Sequence, residues 1–227
     1  MWLAHGMDAV KEWGAAYERV RELVANVDGE QAETRVPACP DWTVRELLAH
    51  MVGLGADVIR NDEPDDHNST WTQRQVDERR DRSVAELLEE WQGLAEPLQQ
   101  WMRENTTRPL GDIIIHEQDL RGALGVSGGQ DTEGLAALRD RMVGGFAAHA
   151  EGLPPVALVG ERWTWCSAGA PEDAAVVVRA TDFDLTRAVM SRRSEQQLRR
   201  WTEKGDIEPY LAGFAGLGAL PEADLSE

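Results

Sequence analysis

Two imidazoles and a carboxylate stand where they can share one point in space. Asp112 and His116 are four residues apart in Asp112-Ile113-Ile114-Ile115-His116. On a helix that spacing puts both side chains on one face, one turn apart. His50 lies in a separate apolar stretch, at the edge of a stripe made by Val44, Leu47, Met51, Leu54, Gly55 and Val58. A helical wheel of 110–124 gives a core stripe of Leu110, Ile113, Ile114, Leu120 and Leu124, with Asp112, His116, Asp119 and Ala123 beside it. One inward-edge histidine from one helix and an Asp/His pair from another is how helical bundles build metal sites. Two neutral imidazoles and one carboxylate leave a coordination position open, the pattern of a catalytic zinc site. Nickel, cobalt or iron would also accept these donors. The open position suits water or an incoming thiol, and a thiol bound to a metal ionises near neutral pH. Asp119, one turn beyond His116, is placed to orient its second ring nitrogen.

Read singly, each of these residues also fits a hydrogen-bonded group at the edge of a core, so the pattern leaves metal ligation and plain burial open. His5, His67 and His149 fall near the start, in a polar loop and at a helix end, and have weaker claims. The pairs Arg192-Arg193 and Arg199-Arg200 fit a solvated helix face. Arg192 and Arg193 are also candidates to pair a substrate carboxylate or an anionic cofactor. There is no Gly-rich phosphate loop after a strand and no Gly-x-Ser-x-Gly elbow.

The elements that must position these groups read as helices through two-thirds of the chain. Val10, Trp13, Tyr17, Val20 and Val24 predict an amphipathic helix over 7–25. After a Pro-containing segment, Thr43-Val44-Arg45-Glu46 has the form of a capping box, opening a helix to about residue 59 that carries His50. Residues 61–72 are polar and read as a loop. Ser83-Val84-Ala85-Glu86 is a second capping box. Its helix meets Pro97, which is expected to kink or shorten it. Residues 110–124 form the next helix, closed by Gly125, and 132–149 another. Beyond Gly152-Leu153-Pro154-Pro155 the texture changes to short strands at 156–159, 162–166 and 174–180, then helices at 183–190 and 194–201 and a loop-like end. Trp42, Trp91, Trp101 and Trp163 are assigned to the cores. The expectation is an α+β chain, with a four-helix-type bundle over residues 1–151 and a small α/β lobe over 152–227.

Composition sets outer bounds. The chain has 227 residues, 42% of them hydrophobic, enough for a real core. Acidic residues outnumber basic ones 41 to 23, and the formal charge of −18 disfavours nucleic acid and anionic membrane surfaces. No apolar run approaches the roughly 18 residues of a membrane span, and no secretory signal pattern opens the sequence. Two cysteines, Cys39 and Cys166, lie far apart and fit reduced thiols. The reading is a soluble cytoplasmic protein, monomer or homodimer.

Residues 36–50, VPACPDWTVRELLAH, closely resemble the signature of the mycothiol-dependent maleylpyruvate isomerase family, which belongs to the DinB-like metal-binding four-helix bundles. Residues 112–121, DIIIHEQDLR, are similar to its second motif, in which an acidic residue precedes a histidine by four. Phe183-Asp184-Leu185-Thr186-Arg187, Ser191-Arg192-Arg193-Ser194 and Gln197 are similar to its small C-terminal α/β lobe. The resemblance implies an actinobacterial-type enzyme with His50, Asp112 and His116 as its metal ligands, zinc as the metal, and mycothiol as thiol cofactor. It further implies that the thiolate attacks a small electrophilic metabolite. Isomerisation follows if the adduct rotates about a former double bond and the thiol leaves; S-transfer follows if the adduct persists. The family's acidic ligand is a glutamate, so Asp112 is one methylene shorter, which leaves the reaction itself open. A non-catalytic module of the same fold, or a thiol-independent metal hydrolase with Glu117 or Asp119 as base, are the alternatives.

Overall fold

A computed structural model describes residues 6–66 and 68–226, so His5 and His67 lie outside the described residues. The chain divides between Gly134 and Leu135 into two compact units.

The first unit is built on four helices, α1 (Ala9–Val24), α3 (Val44–Arg60), α5 (Val84–Glu104) and α6 (Pro109–Leu124). Here α1 packs on α5 and α6, and α3 packs on the same two from the other side. Each helix start has a chemical cause. Asp8 caps α1 by accepting from the Val10 and Lys11 amides. Thr43 and Ser83 form the capping boxes expected from their sequence, with Glu46 and Glu86 reaching back to the cap amides. Gly125 closes α6 with φ +65°, the left-handed conformation glycine adopts without a Cβ penalty. Between Trp13, Tyr17 and Trp91 the core holds a parallel stack and two edge contacts, with centroids 5.0–6.5 Å apart.

Two features depart from the expected elements. Pro97 neither breaks nor shortens α5; it and Gly93, whose carbonyl it deprives of a partner, both face solvent, which leaves the freed oxygen open to hydration. The polar stretch expected as a loop gives its end to a further helix, α4 (Ser69–Asp77), capped by Asn68 and packed on α3. A short helix α2 (Gly29–Ala32) and a two-stranded hairpin, β1 (Arg35–Val36) with β2 (Cys39–Thr43), lead into α3.

The second unit takes in most of α7 (Glu133–His149) and a four-stranded sheet of β3 (Val156–Val159), β4 (Thr164–Cys166), β5 (Val176–Arg179) and β6 (Thr202–Lys204). The order is β4-β3-β5-β6; β3 and β5 run parallel, and the outer pairs are antiparallel. Side chains alternate along the central strands. Val156, Leu158, Val176 and Val178 join Phe146, Leu185, Leu198, Tyr210 and Phe214 in the main core, while Ala157, Val159 and Val177 face a smaller cluster. Helices α8 (Asp182–Ala188), α9 (Glu195–Trp201) and α10 (Leu211–Phe214) complete the unit. The strand β6 and helix α10 are too short to announce themselves by periodicity.

Candidate metal centre

The capping box at Thr43 fixes where α3 begins, and two turns later His50 is buried at the heart of the bundle. Pro109 opens α6 at its first position, and burial of Leu110, Ile113, Ile114 and Leu120 turns that helix so that Asp112 and His116 face His50. The Nε2 atom of His50 lies 3.3 Å from Asp112 Oδ1, and His116 Nε2 lies 3.5 Å from the same oxygen. The three donor atoms sit within 4.8 Å of one another, and the two rings meet edge to face with centroids 5.1 Å apart.

Each imidazole is held from behind. His116 Nδ1 lies 2.9 Å from Asp119 Oδ2, the partner expected from the sequence, and Cys39 Sγ lies 3.6 Å from the same oxygen. His50 Nδ1 lies 2.7 Å from Oε1 of Gln75 on α4. A carboxylate can only accept, so His116 donates from Nδ1 to Asp119, which leaves Nε2 as the atom that faces Asp112. Two ring nitrogens and a carboxylate oxygen crowded this closely repel unless a cation joins them. In the protein alone a proton does so: burial opposes charge on His116, but the adjacent Asp112 outweighs it and raises the imidazole well above its ordinary value. Burial likewise opposes ionisation of Asp112, yet His116 and His50 hold it below the usual carboxylate range. A divalent metal fits the same donors, and three protein ligands would leave one position of a tetrahedral ion for a further ligand.

The structure brings His50, Asp112, His116 and Asp119, the residues singled out in the sequence, together as neighbours. Several participants escaped sequence reasoning. Trp42, assigned to a core, is half-buried and lies against the His50 ring, 4.9 Å between centroids. Gln75 and its partner Asp57 were missed. Asp57 follows His50 by seven, two turns along the same face, a signal that was readable; Gln75 sits on a helix with no apolar stripe to mark it. Glu117, by contrast, is committed to Arg19 and Arg121. In the second unit Arg192 and Arg193 occupy the turn between α8 and α9, both buried. Arg193 Nε donates to Asp184 at 2.9 Å and Nη1 to the Arg192 carbonyl at 2.7 Å, while Arg192 Nη1 reaches the Met190 carbonyl at 3.1 Å. His149, also in that unit, has Nε2 3.4 Å from the Pro209 carbonyl.

Residues 13–121 match the family model described as the mycothiol maleylpyruvate isomerase N-terminal domain. The chain carries a member of that domain family. The match runs from α1 into α6 and includes every residue of the centre, so the mycothiol maleylpyruvate isomerase N-terminal domain is here the DinB-like helical bundle itself. No curated protein and no solved structure matches the chain. Among the described residues no helix is long and apolar enough to cross a membrane.

Proposed function

We propose that the bundle binds one divalent metal, zinc, through His50 Nε2, Asp112 Oδ1 and His116 Nε2. With a low-molecular-weight thiol, mycothiol, as cofactor, it acts on a small electrophilic metabolite as an isomerase or S-transferase. The observation that carries the reading is the convergence of those three donor atoms within 4.8 Å, with His116 Nδ1 already tied to Asp119. Zinc held there would supply a Lewis acid at which a thiol ionises near neutral pH. Asp112 contributes the single negative charge among the three ligands. Asp119 fixes the His116 ring and its proton. Trp42 screens one face of His50 from water. The family domain supports a thiol partner. A thiol-independent hydrolase would need a free base near the metal, and both candidates are already engaged, Glu117 with two arginines and Asp119 with His116.

Metal analysis of the purified protein joined to a thiol-dependence assay tests this. One equivalent of metal per chain is expected, lost in His50→Ala and His116→Ala, with an unsaturated electrophile consumed only when thiol is supplied. A wild-type protein that takes up no zinc, or turnover independent of thiol, would overturn it.

A further inference from the structure

The least exposed polar group beside the centre is Gln75, whose side chain is fully buried and reaches the back of His50 from α4. A glutamine amide can present either its oxygen or its NH2 to a neighbour, and the choice decides which ring nitrogen of the histidine bears hydrogen. Here the choice is forced from one step further out. Gln75 Nε2 lies 2.9 Å from Oδ2 of Asp57, itself 1% exposed. Asp57 forms ion pairs with Arg60 and Arg74, so its carboxylate offers only acceptors to the amide. Turning the amide over would set its oxygen against that carboxylate inside the bundle, where an unpaired polar contact is costly.

We propose that Asp57 and Gln75 are positioning residues that lock His50 as the Nδ1–H tautomer, leaving its Nε2 lone pair for the metal. The order is Asp57 accepting from Gln75 NH2, and Gln75 Oε1 accepting from His50 Nδ1–H. The arrangement parallels Asp119 at His116, but it works through an intervening amide, so the negative charge stands one residue back from the ring. Without the relay the His50 proton moves to Nε2, where Asp112 accepts it, and the ring is lost as a ligand. The inference rests on His50 being a metal ligand only for its consequence; the tautomer is a property of the metal-free protein.

Nitrogen-15 NMR of histidine-labelled, metal-free protein at a pH where the ring is neutral reads the tautomer directly. The wild type is expected to carry hydrogen on His50 Nδ1, and Gln75→Leu and Asp57→Asn to carry it on Nε2. Zinc affinity, measured by chelator competition, is expected to fall about 10- to 100-fold in both variants. The double variant Asp57→Asn/Gln75→Glu moves the charge inward and keeps the relay matched. The amide introduced at 57 donates to the carboxylate introduced at 75, which accepts from His50, while Arg74 keeps its pair with Asp62. It should restore both the Nδ1–H signal and most of the affinity, which a merely structural role for the pair would not predict. Circular dichroism checks that each variant is folded, and the double variant keeps the question answerable if a single one is not. Wild-type His50 protonated on Nε2 alone, or a folded Gln75→Leu protein with the tautomer unchanged, overturns the relay. A wild-type protein with the Nδ1–H signal but no zinc uptake overturns the metal reading and leaves the relay standing.

Discussion

At Asp112 two imidazoles face one carboxylate oxygen, and the proton that His116 holds there is what a metal must displace. His116 binds its proton more tightly in the folded protein than in the unfolded chain, where the value is 6.5, chiefly because Asp112 overcomes the cost of burial. In the metal-free protein the pair therefore adds stability that is fully present below about pH 6.5 and is lost as pH rises through the raised value. Asp112 works at the other end: its contribution is present above its ordinary 3.8 and fades as pH falls toward the lowered folded value. Zinc binding at pH 7 should accordingly release about one proton, since the ligand nitrogen must be bare. Calorimetric titration in two buffers of different ionisation enthalpy measures this; equal apparent enthalpies would contradict it. Asp112 and His116 were legible as neighbours because helical periodicity puts them on one face, whereas a ligand role for them and for His50 came only as what the family resemblance implies. Gln75 was not legible, because it is 25 residues from His50 and no period of sequence links a buried amide on one helix to a ring on another.

Among the elements, α4 holds Gln75 in place and Gly53 lets α4 come close. A Cβ built at Gly53 on α3 would stand 2.5 Å from Gln75 Cβ and 3.0 Å from Arg79 Nη1. The first contact is at the root of the Gln75 side chain, so relief requires the helix to move. Gly53→Ala gains about 1 kcal/mol of helix propensity but incurs an overpacking cost of about 1–3 kcal/mol. The expected result is a lowered Tm together with weaker zinc binding, because the shift draws Gln75 off His50. Thermal melts and chelator competition on the same variant check it; a raised Tm with full affinity would show that α4 yields freely. The larger helices were legible through capping boxes and apolar stripes. The helix α4 was not: its polar sequence buries only Trp71, Gln75 and Val76, so it owes its existence to α3 rather than to its own pattern. Pro97 misled for the opposite reason, since the packing of α5 on α1 and α3 outweighs the cost of about 3 kcal/mol that an interior proline carries.

For the whole molecule, the division into two compact units separates what the metal stabilises from what it does not. All of the proposed ligands and their supporting residues lie before Gly134, and the buried arginines at 192 and 193 lie after it. A ligand that binds only the folded state adds stability as the logarithm of its excess, about 2.7 kcal/mol at one hundred times Kd. That gain belongs to the openings that break the site. Hydrogen exchange with and without zinc should slow at amides of α3 and α6 and stay unchanged along β3 and β5. Arg193→Ala should give the converse. It leaves Asp184 without its guanidinium partner and costs about 1.5–3 kcal/mol, speeding exchange in the sheet unit while zinc uptake stays at one equivalent. If Arg193 instead binds a substrate carboxylate, KM for the electrophile rises and exchange in the sheet stays as in the wild type. Measuring exchange and zinc content on the same two proteins thus separates a residue that holds its unit together from one that holds a ligand. It also shows whether the metal acts on the bundle alone, because protection spreading into β3 and β5 would mean that the two units open as one.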